Sequence, residues 1–234
     1  MFCILKKEIK NYFLNPLGYV FLTLFFAVSA LLFFLNVIKT EILDFSGFFG
    51  SLFLIIIFSM PIITMGLFSD EFKLKTDKLL FTGLVGNFSI VFGKYFAALT
   101  IFFVAMLINL VYILICCFFV TVNFSLIFSC FVGSFLLAAA LISIGLFVSC
   151  LTENSVVSAF LSFGIFMFYT LVEDLYKFLP FKGLKKLLSV VSIMPKYNNF
   201  IMGILNIKDM LYFISIIFMF FCLTNIMLFK KRWS

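Results

Sequence analysis

The feature that most constrains this chain is a series of six long apolar segments separated by short polar ones. A helix needs roughly 20 predominantly apolar residues to cross the hydrocarbon core of a bilayer. The predicted spans are residues 17–37, 48–68, 95–119, 126–151, 156–172 and 210–229. With 65% hydrophobic and 12% charged residues, the chain is also far more apolar than a soluble domain. The sequence therefore predicts an all-α, polytopic membrane protein that forms a single transmembrane domain over residues 1–234.

The residue types missing from these spans exclude several classes of function. The chain has no His, so the commonest general base and metal ligand is absent. Its six Cys are scattered without a CxxC spacing, which argues against a zinc site or a disulfide framework. No Asp, Glu, Lys or Arg lies in the core of a predicted span, whereas ion-coupled carriers usually keep a charged side chain there. The sequence predicts no catalytic residue, no metal and no directly bound cofactor.

Residues 1–15 predict an amphipathic helix that lies on the membrane surface. Apolar residues recur at helical spacing from Phe2 to Phe13, and lysines occupy the opposite side. Asn15 and Pro16 then end this helix and turn the chain into the first span. Basic residues next to the first and last spans favour both termini in the cytoplasm, which also accounts for the net charge of +7 without any nucleic acid partner.

Two spans carry polar or small residues that suggest helix contacts. The fourth span has small residues four apart, at Ser134 and Ala138, Ala139 and Ser143, and Gly145 and Ser149. This spacing fits either packing inside the bundle or a subunit interface. In the third span, Asn109 and Tyr112 share one face. An interhelical hydrogen bond is the favoured interpretation of that pair, and lining a substrate path is the alternative.

The longest polar insert on the side of the termini is residues 69–94. Its charged residues are Asp70, Glu71, Lys73, Lys75, Asp77, Lys78 and Lys94. The spacings from Asp70 to Lys73 and from Glu71 to Lys75 allow ion pairs on one helix face. The insert is long enough to form a short amphipathic helix that contacts a partner; a solvated loop is the alternative. On the other side, residues 173–209 predict a second long loop, with a short surface helix at 182–191.

Five short motifs occur in order along the chain. They are a turn with Asn15, Pro16, Gly18 and Tyr19; Pro61 and the acidic-basic stretch that follows it; Gly93 and Lys94; a turn with Thr152 and Asn154; and an entry to the last span with Gly203, Asp209 and Tyr212. Together they resemble the ABC-2 type permeases, the membrane subunits of certain ATP-binding-cassette exporters. The closest resemblance is to the compact six-span subset of gliding-motility and nitrous-oxide-reductase maturation systems.

The resemblance implies that residues 69–94 hold a cytoplasmic coupling helix contacted by a separate ATPase subunit. The implied contact residues are Asp70, Glu71, Lys73, Lys75, Asp77 and Lys78, with Glu71 and Lys78 the leading candidates. Two permeases, identical or paralogous, would join two ATPases in the bacterial cytoplasmic membrane. ATP would be hydrolysed by the partner, because this chain has no GxxxxGK[ST] phosphate loop.

The chain departs from the family pattern within residues 69–94, which we call the coupling stretch. Two other functions also stay open. Lys75 stands where the family often has Gly, Lys78 where it has Glu, and Leu84 where a proline is common. The first alternative function is a membrane scaffold that moves nothing, and the second is a channel or flippase without an ATPase. The apolar spans, with their hydroxyl and amide groups, suit lipids, hydrophobic peptides and drugs equally as substrates.

Overall fold

The computed structural model describes residues 2–38, 45–76, 86–118, 123–178 and 192–233. The regular structure in these ranges is helical. The helices are α1 (Phe2–Leu14), α2 (Pro16–Phe33), α3 (Phe45–Thr64), α4 (Ser69–Lys73), α5 (Asn87–Cys117), α6 (Phe124–Leu151), α7 (Ser155–Phe178), α8 (Met194–Ile201) and α9 (Ile207–Trp233). Six of them, α2, α3, α5, α6, α7 and α9, are long and apolar enough to cross a membrane. The predicted all-α, six-span architecture is confirmed.

Several helix boundaries differ from the prediction; for example, α7 continues to Phe178 instead of ending at residue 172, and α9 begins at Ile207 instead of residue 210. Helix α5 begins at Asn87 rather than at residue 95, so that Lys94 lies inside a helix instead of ending a loop. Helix α2 continues into a π-helical turn at Phe34–Ile38. The predicted surface helix at 182–191 and the residues Asp77, Lys78 and Leu84 lie outside the described residues.

Helix α6 forms the centre of the bundle. It packs against α3, α5, α7, α8 and α9, and it is the most buried of the six spans. A helix that is apolar on every side suits such a position, because no side of it meets water. The spans α2 and α7 are the least buried, so their apolar outer sides remain open to lipid or to another protein.

The bundle has two distinct ends, which we name the α4 face and the α8 face. Helix α3 runs from the α8 face, where the Phe49 carbonyl accepts a hydrogen bond from Tyr197 of α8, to the α4 face. Helix α6 runs in the same direction, because Ser129 near its start donates to the Phe200 carbonyl of α8 at 2.9 Å. Helix α1 lies on the α4 face with its Tyr12 beside the end of α3.

Tyr197 fixes the short helix α8 to the rest of the bundle. Its fully buried ring stacks on Phe53 with the ring centres 5.2 Å apart. Burial raises the pKa of the Tyr197 hydroxyl, so that it stays protonated and donates to the Phe49 carbonyl at 3.0 Å. The same hydroxyl lies 3.0 Å from Ser134 Oγ of α6. Helix α8 is therefore held by α3 and α6 together.

The small residues of α6 pack within this chain. The position of Gly145 faces Thr64 of α3 so closely that an added Cβ would overlap the threonine side chain. Ser134 contacts Tyr197, as described above. Of the two interpretations that the sequence left open, internal packing holds for these two positions. The interhelical hydrogen bond expected of Asn109 is absent among the described residues, since its amide donates to Met106 Sδ of its own helix.

Candidate functional site

A buried ionic cluster lies at the α4 face. The Lys94 side chain is 1% exposed, and its Nζ lies 3.0 Å from Glu8 Oε1 and 3.0 Å from Glu71 Oε1. The same Nζ donates to the carbonyl of Leu67 and sits 5.0 Å from the centre of the Phe68 ring. An ammonium group shielded from water needs such partners, because an isolated buried charge costs several kcal/mol. One side chain of α5 thus joins α1 to α4.

Close packing of α1 on α5 places Glu8 beside Lys94. An added Cβ at Gly93 would fall 2.9 Å from Ile4 Cγ2, so only a glycine permits this approach without a shift. Glu8 is the buried residue of α1. On the next turn, Tyr12 donates from its hydroxyl to the Ile63 carbonyl at 2.7 Å. Burial raises the pKa of Tyr12 well above its usual value, which keeps the hydroxyl in its donating form.

Ser149 of α6 caps the start of α4. Its Oγ accepts hydrogen bonds from the backbone N–H groups of Phe68 at 2.9 Å and Ser69 at 3.1 Å. The same hydroxyl donates to the carbonyl of Met65 at 3.1 Å. The first N–H groups of any helix lack partners within it, and a side-chain oxygen commonly supplies one. Here the oxygen comes from another helix, so the end of α6 fixes the position of α4.

A cavity of about 790 Å³ opens between α1, the end of α3 and α4. Its polar lining residues are Lys7, Glu8, Asn11, Tyr12, Asn15, Asp70, Glu71, Lys73, Thr76 and Lys94. Glu71 Oε2 is buried here without a hydrogen-bond partner among the described residues, and Lys7 Nζ lies 3.9 Å from Glu71 Oε1. No group of three His, Cys, Asp or Glu side chains suited to a metal ion occurs in the described ranges. The cavity is a groove with both charged and apolar walls, since Leu17, Ile62, Ile63, Leu67 and Leu74 also line it.

The predicted contact residues divide into buried and exposed groups. Glu71 is mostly buried, with 15% of its side chain exposed, whereas Lys73 and Lys75 are exposed. Glu71 pairs with Lys94 and Lys7 instead of Lys75, because α4 ends at Lys73 and Lys75 adopts a φ of 54°. The expected helical pair of Glu71 with Lys75 is therefore not formed. Asp70 is half-buried at the groove.

The other motif positions fall on both faces of the bundle. Nine of them lie on the α4 face or lead into it. Asn15 lines the groove, and α2 then carries Pro16, the buried Gly18 and the exposed Tyr19. The other five are Pro61 in α3, Gly93 and Lys94 in α5, and Thr152 and Asn154 after α6. Asn154 Oδ1 accepts from the Val156 N–H at 3.0 Å and so caps α7. Only part of this set, namely Asn15, Gly93 and Lys94, lies at the ionic cluster or its groove.

Gly203, Asp209 and Tyr212 lie at the α8 face. Gly203 follows α8 with a φ of 82°. Asp209, at the start of α9, accepts a hydrogen bond from Asn199 Nδ2 at 2.8 Å. Lys196 Nζ lies over the Tyr212 ring, 3.5 Å from its centre. These positions shape the connection between α8 and α9 and are far along the chain from the ionic cluster.

A family match decides what kind of protein carries this site. Residues 1–173, which include α1 to α6 and most of α7, match the family model described as ABC-2 type transporter. The chain belongs to the ABC-2 type transporter family. A search of curated proteins gave no match. This ABC-2 protein is a permease subunit of an ABC transporter, and the ionic cluster lies wholly within the matched region.

Two side chains of this ABC-2 site were missed by the sequence reasoning. Glu8 is the single acidic residue among the lysines of α1, and that isolation was the available signal. Ser149 was noted as a small residue, but its role as a cap depends on α4, which is about 80 residues away in sequence. Neither partner can be identified from local sequence pattern, because each contact joins separate helices.

Proposed function

We propose that this protein is the membrane subunit of an ATP-binding-cassette exporter in a bacterial cytoplasmic membrane. The α4 face is cytoplasmic, and with it lie both termini. A separate ATPase binds and hydrolyses ATP and contacts α4 together with the segment that follows it. Two permeases, identical or paralogous, join two ATPases, and the substrate is an apolar or amphipathic molecule.

The observation that carries this proposal is that the end of α4 is exposed while the helix itself is joined to three other helices. Lys73, Leu74 and Lys75 face outward, and Leu74 is 71% exposed. Behind this outward surface, α4 is joined to α5 and α1 through Lys94 and to α6 through Ser149. A partner that displaces α4 therefore acts on three other helices at once. A solvated loop would need neither a buried ion pair nor an external cap.

The geometry assigns different roles to the residues of the coupling stretch. We infer that Glu71 positions α4 through Lys94, since most of its side chain is withdrawn from solvent. Lys73, Leu74 and Lys75 are the described residues best placed to touch the ATPase directly. Asp77 and Lys78 stay predicted contacts outside the described residues.

Affinity purification of the tagged permease in mild detergent tests this proposal. We expect one ATPase per wild-type permease, and loss of that ATPase in the double variant Lys73→Glu, Lys75→Glu. The control is Lys208→Glu, which reverses the charge of one exposed lysine of the α8 face, half the charge change of the double variant, and should retain the ATPase. Absence of any ATPase from the wild-type protein in several detergents would overturn the proposal and favour a scaffold or an independent channel.

A further inference from the structure

The end of α9 reaches the α4 face and contacts the coupling stretch. Lys231 Nζ lies 3.5 Å from the ring centre of Phe72, the fourth residue of α4. The Phe72 ring is buried and stacks on Phe68 with the ring centres 6.0 Å apart. Phe68 in turn lies under Lys94. Each of the two stacked rings thus has an ammonium group over it, Phe68 from α5 and Phe72 from α9, a position that the electron-rich faces of aromatic rings favour.

The next residue of α9 contacts the other end of the same stretch. Arg232 Nη1 lies 3.4 Å from Oδ1 of Asn87, the first residue of α5. Asn87 is 3% exposed, and its Nδ2 has no partner among the described residues. The contact from Arg232 therefore satisfies the acceptor of a buried amide, which would otherwise be left without a donor.

We propose that Lys231 and Arg232 are positioning residues for the coupling stretch, and this inference rests on the proposed function of that stretch. Phe72 lies in α4 and Asn87 begins α5, so the end of α9 contacts both helices of the coupling stretch. The last span thereby sets where the ATPase-facing surface of α4 lies. Displacement of α4 by the ATPase is passed to α9 as well as to α5 and α6.

The usual interpretation of basic residues at the end of a span is attraction to anionic lipid headgroups. That interpretation suits Lys230, whose side chain is exposed and has no ion pair or ring contact with the described residues. It does not account for Lys231, which is half-buried against an aromatic ring. The neighbouring lysine therefore offers a matched control, because its removal changes the net charge equally.

Hydrogen exchange of the purified permease in lipid nanodiscs tests the proposal without any ATPase. The reporters are the backbone N–H groups of Phe72, Leu74 and Thr76, which donate to the carbonyls of Phe68, Asp70 and Glu71. In Lys231→Met these amides should exchange about 5- to 30-fold faster, the factor that corresponds to losing a partly desolvated cation–π contact. Arg232→Gln should accelerate exchange at the start of α5.

Two further variants separate positioning from charge and from general stability. Lys230→Met should leave exchange at all these amides unchanged, and Lys231→Arg, which keeps a cation over the ring, should restore slow exchange. Equal exchange in Lys231→Met and Lys230→Met would overturn the proposal. So would a uniform acceleration across the spans, since that would indicate loss of overall stability. A failure of the ATPase to co-purify would refute the proposed function and leave this exchange result standing.

Discussion

Replacing Lys94 by Met should destabilise the protein by about 3–5 kcal/mol, the usual cost of removing one partner from a buried ion pair. At 3.0 Å, each of its two carboxylate contacts has an attraction of roughly 5.5 kcal/mol at an effective dielectric constant of about 20. Most of that attraction offsets the cost of burying the ammonium group and the repulsion between Glu8 and Glu71. Without Lys94, the two carboxylates keep the repulsion and lose the attraction, so the loss is larger than for a surface pair.

The free energy of unfolding in mixed micelles with increasing SDS measures this change, and Lys73→Met is the control on an exposed lysine nearby. A second substitution sharpens the test, because Glu8→Gln should destabilise the wild type but relieve repulsion in the Lys94→Met protein. The reasoning fails if Lys94→Met costs no more than Lys73→Met. It also fails if Glu8→Gln has the same effect with and without Lys94, since the two residues would then be uncoupled.

Three other substitutions test the helix contacts by the same unfolding measurement. Ser149→Ala should cost about 1–2 kcal/mol because α4 loses its cap, whereas Ser143→Ala, whose hydroxyl bonds only within its own helix, should cost less. Gly145→Ala should cost about 1–3 kcal/mol through overlap with α3. Gly164→Ala is its control, because a Cβ there meets nothing within 4 Å. Tyr197→Phe should cost about 1 kcal/mol, the usual net contribution of one hydrogen bond, because it removes the buried bond from the hydroxyl to the Phe49 carbonyl.

Each of these expectations has a contrary outcome. A Ser149→Ala protein as stable as Ser143→Ala would mean that the amides at the start of α4 find water instead. Equal stability of the Gly145→Ala and Gly164→Ala proteins would show that α3 and α6 separate easily. A Tyr197→Phe protein as stable as the wild type would mean that the hydrogen bond to the Phe49 carbonyl adds no net stability. If Tyr197→Phe and Ser149→Ala together cost clearly more or less than their sum, the two faces would be energetically coupled through α6.

The number and order of the spans follow from sequence because the bilayer imposes its thickness on each apolar run. The predicted start of α5 was wrong, and the reason is also physical. Lys94 was treated as a residue of the polar loop, because a charge normally marks the end of an apolar run. Its partners Glu8 and Glu71 allow it to be buried inside a helix, and Glu8 is 86 positions away in sequence. A hydropathy profile uses only the local sequence, so it cannot show that a charged side chain is neutralised by residues of another helix.

The candidate site was predictable only as a stretch of chain. The insert was predicted to form a short amphipathic helix, with a solvated loop as the alternative, and the structure has the short helix α4 there, followed by the exposed Leu74 and Lys75. The side chains that hold α4 in place come from α1, α5, α6 and α9. Small residues in α6 indicated close packing, but the sequence carries no record of which helix approaches Gly145 or of which amides Ser149 caps. Such contacts are properties of the tertiary arrangement.

The two hydrogen-bonded ends of α6 have a mechanical consequence. Ser134 contacts α8 and Ser149 contacts α4, and the 15 residues between them span about 22 Å of helix at 1.5 Å per residue. A helix of this length behaves as a stiff rod, and its middle, at Leu141 and Ile142, is buried in the bundle. Tilting it moves its two ends in opposite directions. Under the proposed function, a displacement of α4 by the ATPase would therefore also move the end of α6 that contacts α8, on the opposite face of the bundle.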